Sequence, residues 1–256
     1  MSEYTDHHGP EGLLVRGTVV VVPGRGETRA TYRRLGSRLA ADAYRVRVVD
    51  APDLDGDDPD SVLDRFAARL DAAVEGTAGE NGVAEPVVLV GADAGAVAVA
   101  ALLAHPQVSP ARPPHAVVLA GLPGHGTVLG GGGWDDELDA RTSCPTHRGT
   151  LSQDIEVRRG LLDDPLPEAL LTAAYGGGVP VPALLLVGDD DPLADRAALG
   201  RLAKALPQAR LSVVHGAHHD VLNDLQHRSV AAEVVTFLET LRNDLRPLVA
   251  VETSAW

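Results

Sequence analysis

The pentapeptide Gly91-Ala92-Asp93-Ala94-Gly95 sets one ionisable side chain among four small residues. It follows the β-branched run Pro86–Val90 and opens an alanine-rich stretch that ends at His105. That order predicts a strand, a tight turn and a helix. Small residues at such a turn let the backbone bend sharply and expose the central side chain, as in a nucleophile elbow. An ordinary strand-to-helix connection with Asp93 as N-cap has the same pattern. Two later segments weigh against that plainer reading. VPALLLV ends in Gly188-Asp189-Asp190-Asp191-Pro192-Leu193, and LSVVHGAHHDVLND carries His215, His218 and His219. Acidic residues at the carboxyl end of a strand lie where open α/β sheets place their sites. Nucleophile, acid and histidine, in that chain order, form one known way of building a catalytic triad. Upstream, VVVVPGRGET can offer backbone N–H groups to a developing oxyanion.

A carboxylate at the elbow narrows the chemistry. It can open an epoxide or displace a halide, leaving an ester on the protein that an activated water then cleaves. Attack on an ester gives a mixed anhydride instead. Asp93 or His219 can also activate water or abstract a proton, giving a lyase or isomerase without a covalent intermediate. A helix N-terminus beside Asp93 favours its anion.

The elements that must position these residues are readable as six apolar runs: Gly17–Val22, Arg45–Asp50, Pro86–Gly91, His115–Gly121, Val181–Gly188 and Leu211–Gly216. Most are unbroken Val/Leu runs, which suit strands buried on both faces of a parallel sheet. Between them lie amphipathic or apolar helical segments at 28–43, 61–74, 94–104, 195–206 and 228–245. Strands alternating with helices predict a doubly wound, mostly parallel α/β sheet. The alternation breaks between Leu122 and Pro180, where glycine runs flank a polar stretch, so 122–180 is expected to be a short cap. The core is then 15–121 and 181–246, with 1–14 and 247–256 as terminal extensions.

These motifs together resemble the α/β-hydrolase fold superfamily, in particular its monoacylglycerol lipase and lysophospholipase branch. The HGxGE-like loop is Pro23-Gly24-Arg25-Gly26-Glu27, and GxSxG is GADAG. The acid turn GxxD is Gly188–Asp191, and the HExLNE-like stretch is His219-Asp220-Val221-Leu222-Asn223-Asp224. The resemblance implies His219 as general base, Asp191 as its orienting acid, and the N–H groups of Arg25 and Ala94 as oxyanion hole. It puts Asp93 at the nucleophile position, where the branch has serine, and Pro23 where it has histidine. It implies hydrolysis of a small organic molecule, ester-like or an epoxide or alkyl halide, without a cofactor.

Epoxide opening needs a proton donor and halide displacement a halide-binding group. In the cap, Tyr175 is the candidate for the first and Trp134 for the second. Cys144 and His147, three residues apart, are a further cap pair, read as structural before nucleophilic. Asp189 and Asp190 compete with Asp191 for the acid role. Acidic residues and histidines near 189–191 and 218–219 match no strong metal spacing, and no metal site is expected. A formal charge of −14, from 22 basic and 36 acidic residues, argues against nucleic-acid or anionic-membrane partners. A single cysteine excludes an intrachain disulfide, and no signal-like segment opens the chain, so a cytoplasmic, monomeric or homodimeric protein is expected. Two rivals remain. Gly24-Arg25-Gly26 after the first strand invites a dinucleotide site, but the third glycine of GxGxxG is missing. A hydrolase-fold ligand binder without turnover is the other.

Overall fold

The computed structural model describes residues 4–56 and 58–254. Of the terminal extensions, residues 1–3 and 255–256 lie outside the described residues. Seven strands form one sheet in the order β1-β3-β2-β4-β5-β6-β7. They are β1 (Tyr4–His7), β2 (Gly17–Val22), β3 (Tyr44–Val49), β4 (Val87–Ala92), β5 (Ala116–Ala120), β6 (Ala183–Gly188) and β7 (Ala209–Val214). Strands β2 to β7 are all parallel, and β1 runs antiparallel to β3. The six apolar runs therefore become the six parallel strands, each within two residues of its expected ends.

The N-terminal segment differs from expectation. Tyr4–His7 is an edge strand, not a free extension. Arg47 of β3 anchors it, pairing with Asp6 at 2.7 Å and stacking on the Tyr4 ring at 3.6 Å. The segment carries no apolar alternation, so sequence periodicity could not mark it as a strand.

Helices cover both faces. On one side α1 (Arg33–Ala41) and α8 (His227–Leu241) bury Leu35, Leu39, Val234 and Leu238 against β2, β3, β4 and β6. On the other lie α2 (Pro59–Glu75), α3 (Ala94–Ala104), α6 (Glu168–Tyr175) and α7 (Arg196–Ala205). Helix α3 is buried on every face from Ala94 to Leu102, which explains its alanine content: a larger side chain would push it off the sheet. A Cβ on Gly95 would stand 2.3 Å from the Val22 carbonyl oxygen, so only glycine lets α3 start this close to β2.

Residues 122–180 do not form one separate layer. Helix α6 joins the main core through Leu170, Leu171 and Ala174. What stands apart is α4 (Trp134–Arg141), α5 (Pro145–Gln153) and a short turn of helix at Leu161–Asp163. Leu138, Leu151 and Val157, with Trp134 packed on them, form its small core. No helix among the described residues is long and apolar enough to cross a membrane.

Candidate active site

Asp93 sits between the end of β4 and the start of α3 with φ 46° and ψ −116°. An L-residue rarely adopts that conformation, and such strain gathers at functional turns. The carboxylate is buried at 3% exposure and its oxygens are fully engaged. Arg25 N–H donates to Oδ2 at 2.7 Å. The Arg25 guanidinium grips both oxygens, with Nη2 2.7 Å from Oδ1 and Nε 2.9 Å from Oδ2. This close approach needs Gly24, where a Cβ would lie 2.8 Å from the Asp93 Cβ.

His219, from the loop after β7, lies on the other side of Asp93. Its Nε2 is 3.2 Å from Asp93 Oδ1, at ion-pair distance but off the line of a good hydrogen bond. Its Nδ1 is 3.0 Å from both oxygens of Asp191. Asp191 Oδ1 also accepts the Leu193 N–H at 2.9 Å, which fixes the carboxylate. The acid that reaches His219 is thus Asp191. Asp189 turns outward to His215, which is exposed.

Arg25, Asp93, His219 and Asp191 make a buried line of alternating charge. Burial alone would neutralise Asp93, but Arg25 first and His219 next hold its carboxyl well below the usual range. Burial also opposes the imidazolium of His219. Asp191 and then Asp93 outweigh it and raise that pKa to about 10. In this arrangement His219 is protonated at neutral pH and becomes a base only when one of its two carboxylate neighbours loses its charge.

The same shift carries a stability consequence. A raised imidazole pKa stabilises the fold below the ordinary value of 6.5, and that contribution is lost as pH climbs through about 10. Urea midpoints of the wild type are expected to fall between pH 8 and 10.5, and to fall less in His219→Gln. Parallel curves for the two proteins would refute the charged His219.

The Pro23–Glu27 loop is held from below by residues that sequence reading passed over. Glu27 Oε2 accepts the Gly24 N–H at 2.8 Å and the Tyr32 hydroxyl. It thereby supports the loop that follows Pro23. Arg141, at the end of α4 and 1% exposed, donates to the Arg25 carbonyl at 2.7 Å. The same Nη2 and Nε donate to Glu137 Oε1 at 2.8 and 3.0 Å, and Nη1 donates to Asp220 at 3.4 Å. The His219 and Asp220 N–H groups donate to the Ala140 and Arg141 carbonyls at 3.2 and 2.9 Å. Asp224 accepts from Thr142, Ser143 and His218 at 2.8, 2.9 and 2.7 Å. The α4–α5 layer is therefore stitched to both catalytic-type loops rather than laid over them. The acidic residues at the second and last positions of the HExLNE-like stretch, Asp220 and Asp224, were the available sequence signal.

The cap candidates go elsewhere. Trp134 packs in the small cap core, with its indole N–H on Ser152 and Arg159 stacked 4.8 Å away. The Tyr175 hydroxyl reaches the Leu122 carbonyl at 3.4 Å, and its ring lies against His125. Neither is brought to Asp93 by any contact among the described residues. Cys144 precedes α5, and burial of its thiol is outweighed by the Arg34 guanidinium and backbone N–H groups, which leave its pKa lowered. His147 pairs its Nε2 with Asp220 at 2.8 Å, not with Cys144. Ala94 begins α3, where a first-turn N–H has no acceptor within the helix.

Little space lies beside the triad. The cavity bounded by Tyr32, Asp93, His219 and Asp220 measures about 10 Å³. Two clefts flank the Arg25 side chain. One of about 440 Å³ is lined by Gly24, Ala94, Asp53, Asp164 and Leu166, and one of about 70 Å³ by Pro123, Val128 and Leu171.

Solved structures with the same architecture cover nearly all of the chain. A soluble variant of monoglyceride lipase from Saccharomyces cerevisiae superposes with a TM-score of 0.70 at 14% identity, covering 93% of this chain and 91% of that one. The fold is the α/β-hydrolase fold. A monoacylglycerol lipase from Paleococcus ferrophilus gives 0.68 at 18% identity, covering 93% and 98%. The hydrolase fold is shared equally with proline iminopeptidase of Mycobacterium smegmatis, at 0.63, 14% identity, and 95% and 96% coverage. No family model and no curated protein matches the sequence. Within this hydrolase fold the elbow lies at the end of β4, the acid after β6 and the histidine after β7.

Proposed function

We propose that the chain is a hydrolase of a small organic molecule, with Asp93 as nucleophile and His219 as acid and then base, oriented by Asp191. The observation that carries this reading is the intact alignment of Asp191, His219 and Asp93, held at 3.0 and 3.2 Å on a strained elbow. Asp93 attacks the electrophilic carbon and its charge passes into a covalent bond. His219 then faces one carboxylate instead of two, releases its proton to the leaving group, and can take one from water. Water cleaves the intermediate and restores the Asp93 carboxylate.

Carbonyl substrates fit this site better than epoxides or alkyl halides. Tyr175 and Trp134, the candidate helpers for the latter, are engaged elsewhere. The Ala94 N–H, which has no acceptor within α3, remains for a carbonyl oxygen, and the Arg25 N–H joins it once Asp93 has released it. The similarity to lipases and a peptidase supports the same preference. Access requires the Arg25 guanidinium to leave Asp93, which joins the two clefts it now separates.

A ligand binder without turnover is the competing reading, favoured by the saturated Asp93 and its cavity of about 10 Å³. Single-turnover hydrolysis in ¹⁸O-water over short aryl esters, epoxides and alkyl halides separates the two. With epoxides and alkyl halides, label in the peptide containing Asp93 is expected, and His219→Ala should abolish it. With esters, water can open the mixed anhydride at the substrate carbonyl, so the expected sign is a hydroxamate at Asp93 after quenching with hydroxylamine. Turnover with neither removes the nucleophile role; a folded protein inert on the whole panel leaves the binder.

A further inference from the structure

Beneath the Pro23–Glu27 loop, three side chains from distant parts of the chain converge. Glu27, His147 and Asp220 each present a ligating atom, and these lie within 4.8 Å of one another. All three residues are buried, Glu27 at 7% exposure, His147 at 1% and Asp220 at 9%. Their polar atoms are unevenly satisfied. Glu27 Oε2 is occupied by Gly24 and Tyr32, while Glu27 Oε1 is buried without a hydrogen-bond partner. Buried carboxylate oxygens rarely go unpaired, and an ion is one of the few things that satisfies them.

Charge counting points the same way. Glu137 pairs with Arg141, and Asp220 with Arg141 and His147. Glu27 is left over. Glu27, Glu137 and Asp220 are thus three buried carboxylates around a single guanidinium, and the cluster is short of positive charge. A proton on Oε1 would find no acceptor, whereas a cation there would also be shared by His147 and Asp220.

We propose that Glu27, His147 and Asp220 form a binding site for a divalent transition-metal ion of the zinc class. One imidazole and two carboxylates are donors that zinc accepts, at bond lengths of about 2.0–2.2 Å. Those bond lengths place tetrahedral ligand atoms about 3.3–3.6 Å apart, so His147 Nε2 and Asp220 Oδ2, now 2.8 Å apart, need to open slightly. The ion would tie the Pro23–Glu27 loop, the cap and the histidine loop at one point. The site does not depend on the reaction proposed above, and its test does not read activity.

The experiment is zinc titration of full-length, chelator-treated protein against a fluorescent zinc indicator. His7→Ala/His8→Ala removes the adjacent N-terminal histidines as a competing site. One ion per chain and at least a ten-fold weaker affinity in both Glu27→Gln and His147→Gln are expected, on the scale of losing a metal ligand or its support. Equal binding by wild type and folded Glu27→Gln overturns the proposal, as does no binding to wild type. Should the variants fail to fold, X-ray absorption of the zinc-loaded wild type decides. One imidazole with oxygen neighbours supports the site, and sulfur or several imidazoles refute it.

Discussion

Replacing Asp93 by serine is expected to make the chain react with a fluorophosphonate at position 93, where the wild type does not. The substitution removes two obstacles at once. Arg25 loses the carboxylate that its guanidinium and N–H both bind, which frees that N–H for an oxyanion. His219 loses one of the two carboxylates that keep it protonated, so its Nε2 can serve as base to the hydroxyl. Adding His219→Ala should lower the labelling rate by roughly 10²–10⁴-fold, the usual worth of a positioned base. Mass spectrometry of the labelled peptide gives the position. A folded Asp93→Ser protein that stays unlabelled would mean that the loops are not disposed for acyl chemistry. Arg25→Ala in the same background then shows whether the guanidinium alone blocks entry.

The second large effect concerns stability. Arg141 is among the most buried charges in the chain, and its truncation strands Glu137 and Asp220 without their cation. Removing one partner of a buried pair costs about 3–5 kcal/mol. For a chain of this size that corresponds to a Tm lowered by roughly 6–20 °C. The same change frees the Arg25 carbonyl and the cap from each other. Arg141→Ala is expected to reach the lower Tm, and Arg141→Lys to fall between, since one ammonium cannot bind three acceptors in a fork. Differential scanning calorimetry checks this. A drop below about 2 °C for Arg141→Ala, the scale of a surface change, would mean the network is not closed as described.

The parallel strands and the loops that end them could be read from the chain because each rests on contiguous residues. Unbroken Val/Leu runs mark strands covered on both faces, and the residues that end β4, β6 and β7 meet at one edge in any parallel sheet of this kind. Gly91 and Gly95, with alanines between, can serve only where a helix is pressed against a strand. Spacing favoured Asp191 without excluding Asp189 or Asp190, because all three aspartates follow the same strand; the turn after Gly188 brings Asp191 to His219. Tyr4–His7 has no apolar period, so only its pairing with β3 reveals it.

Tertiary structure alone decided the electrostatics. Arg25 and Asp93 are 68 residues apart, and no local pattern says that one neutralises the other. Glu27, Arg141, His147 and Asp220 come together only because α4 and α5 dock beside the histidine loop. Burial then does what sequence cannot express. It removes water from these charges, so each must find its partner among side chains that the fold carries to it.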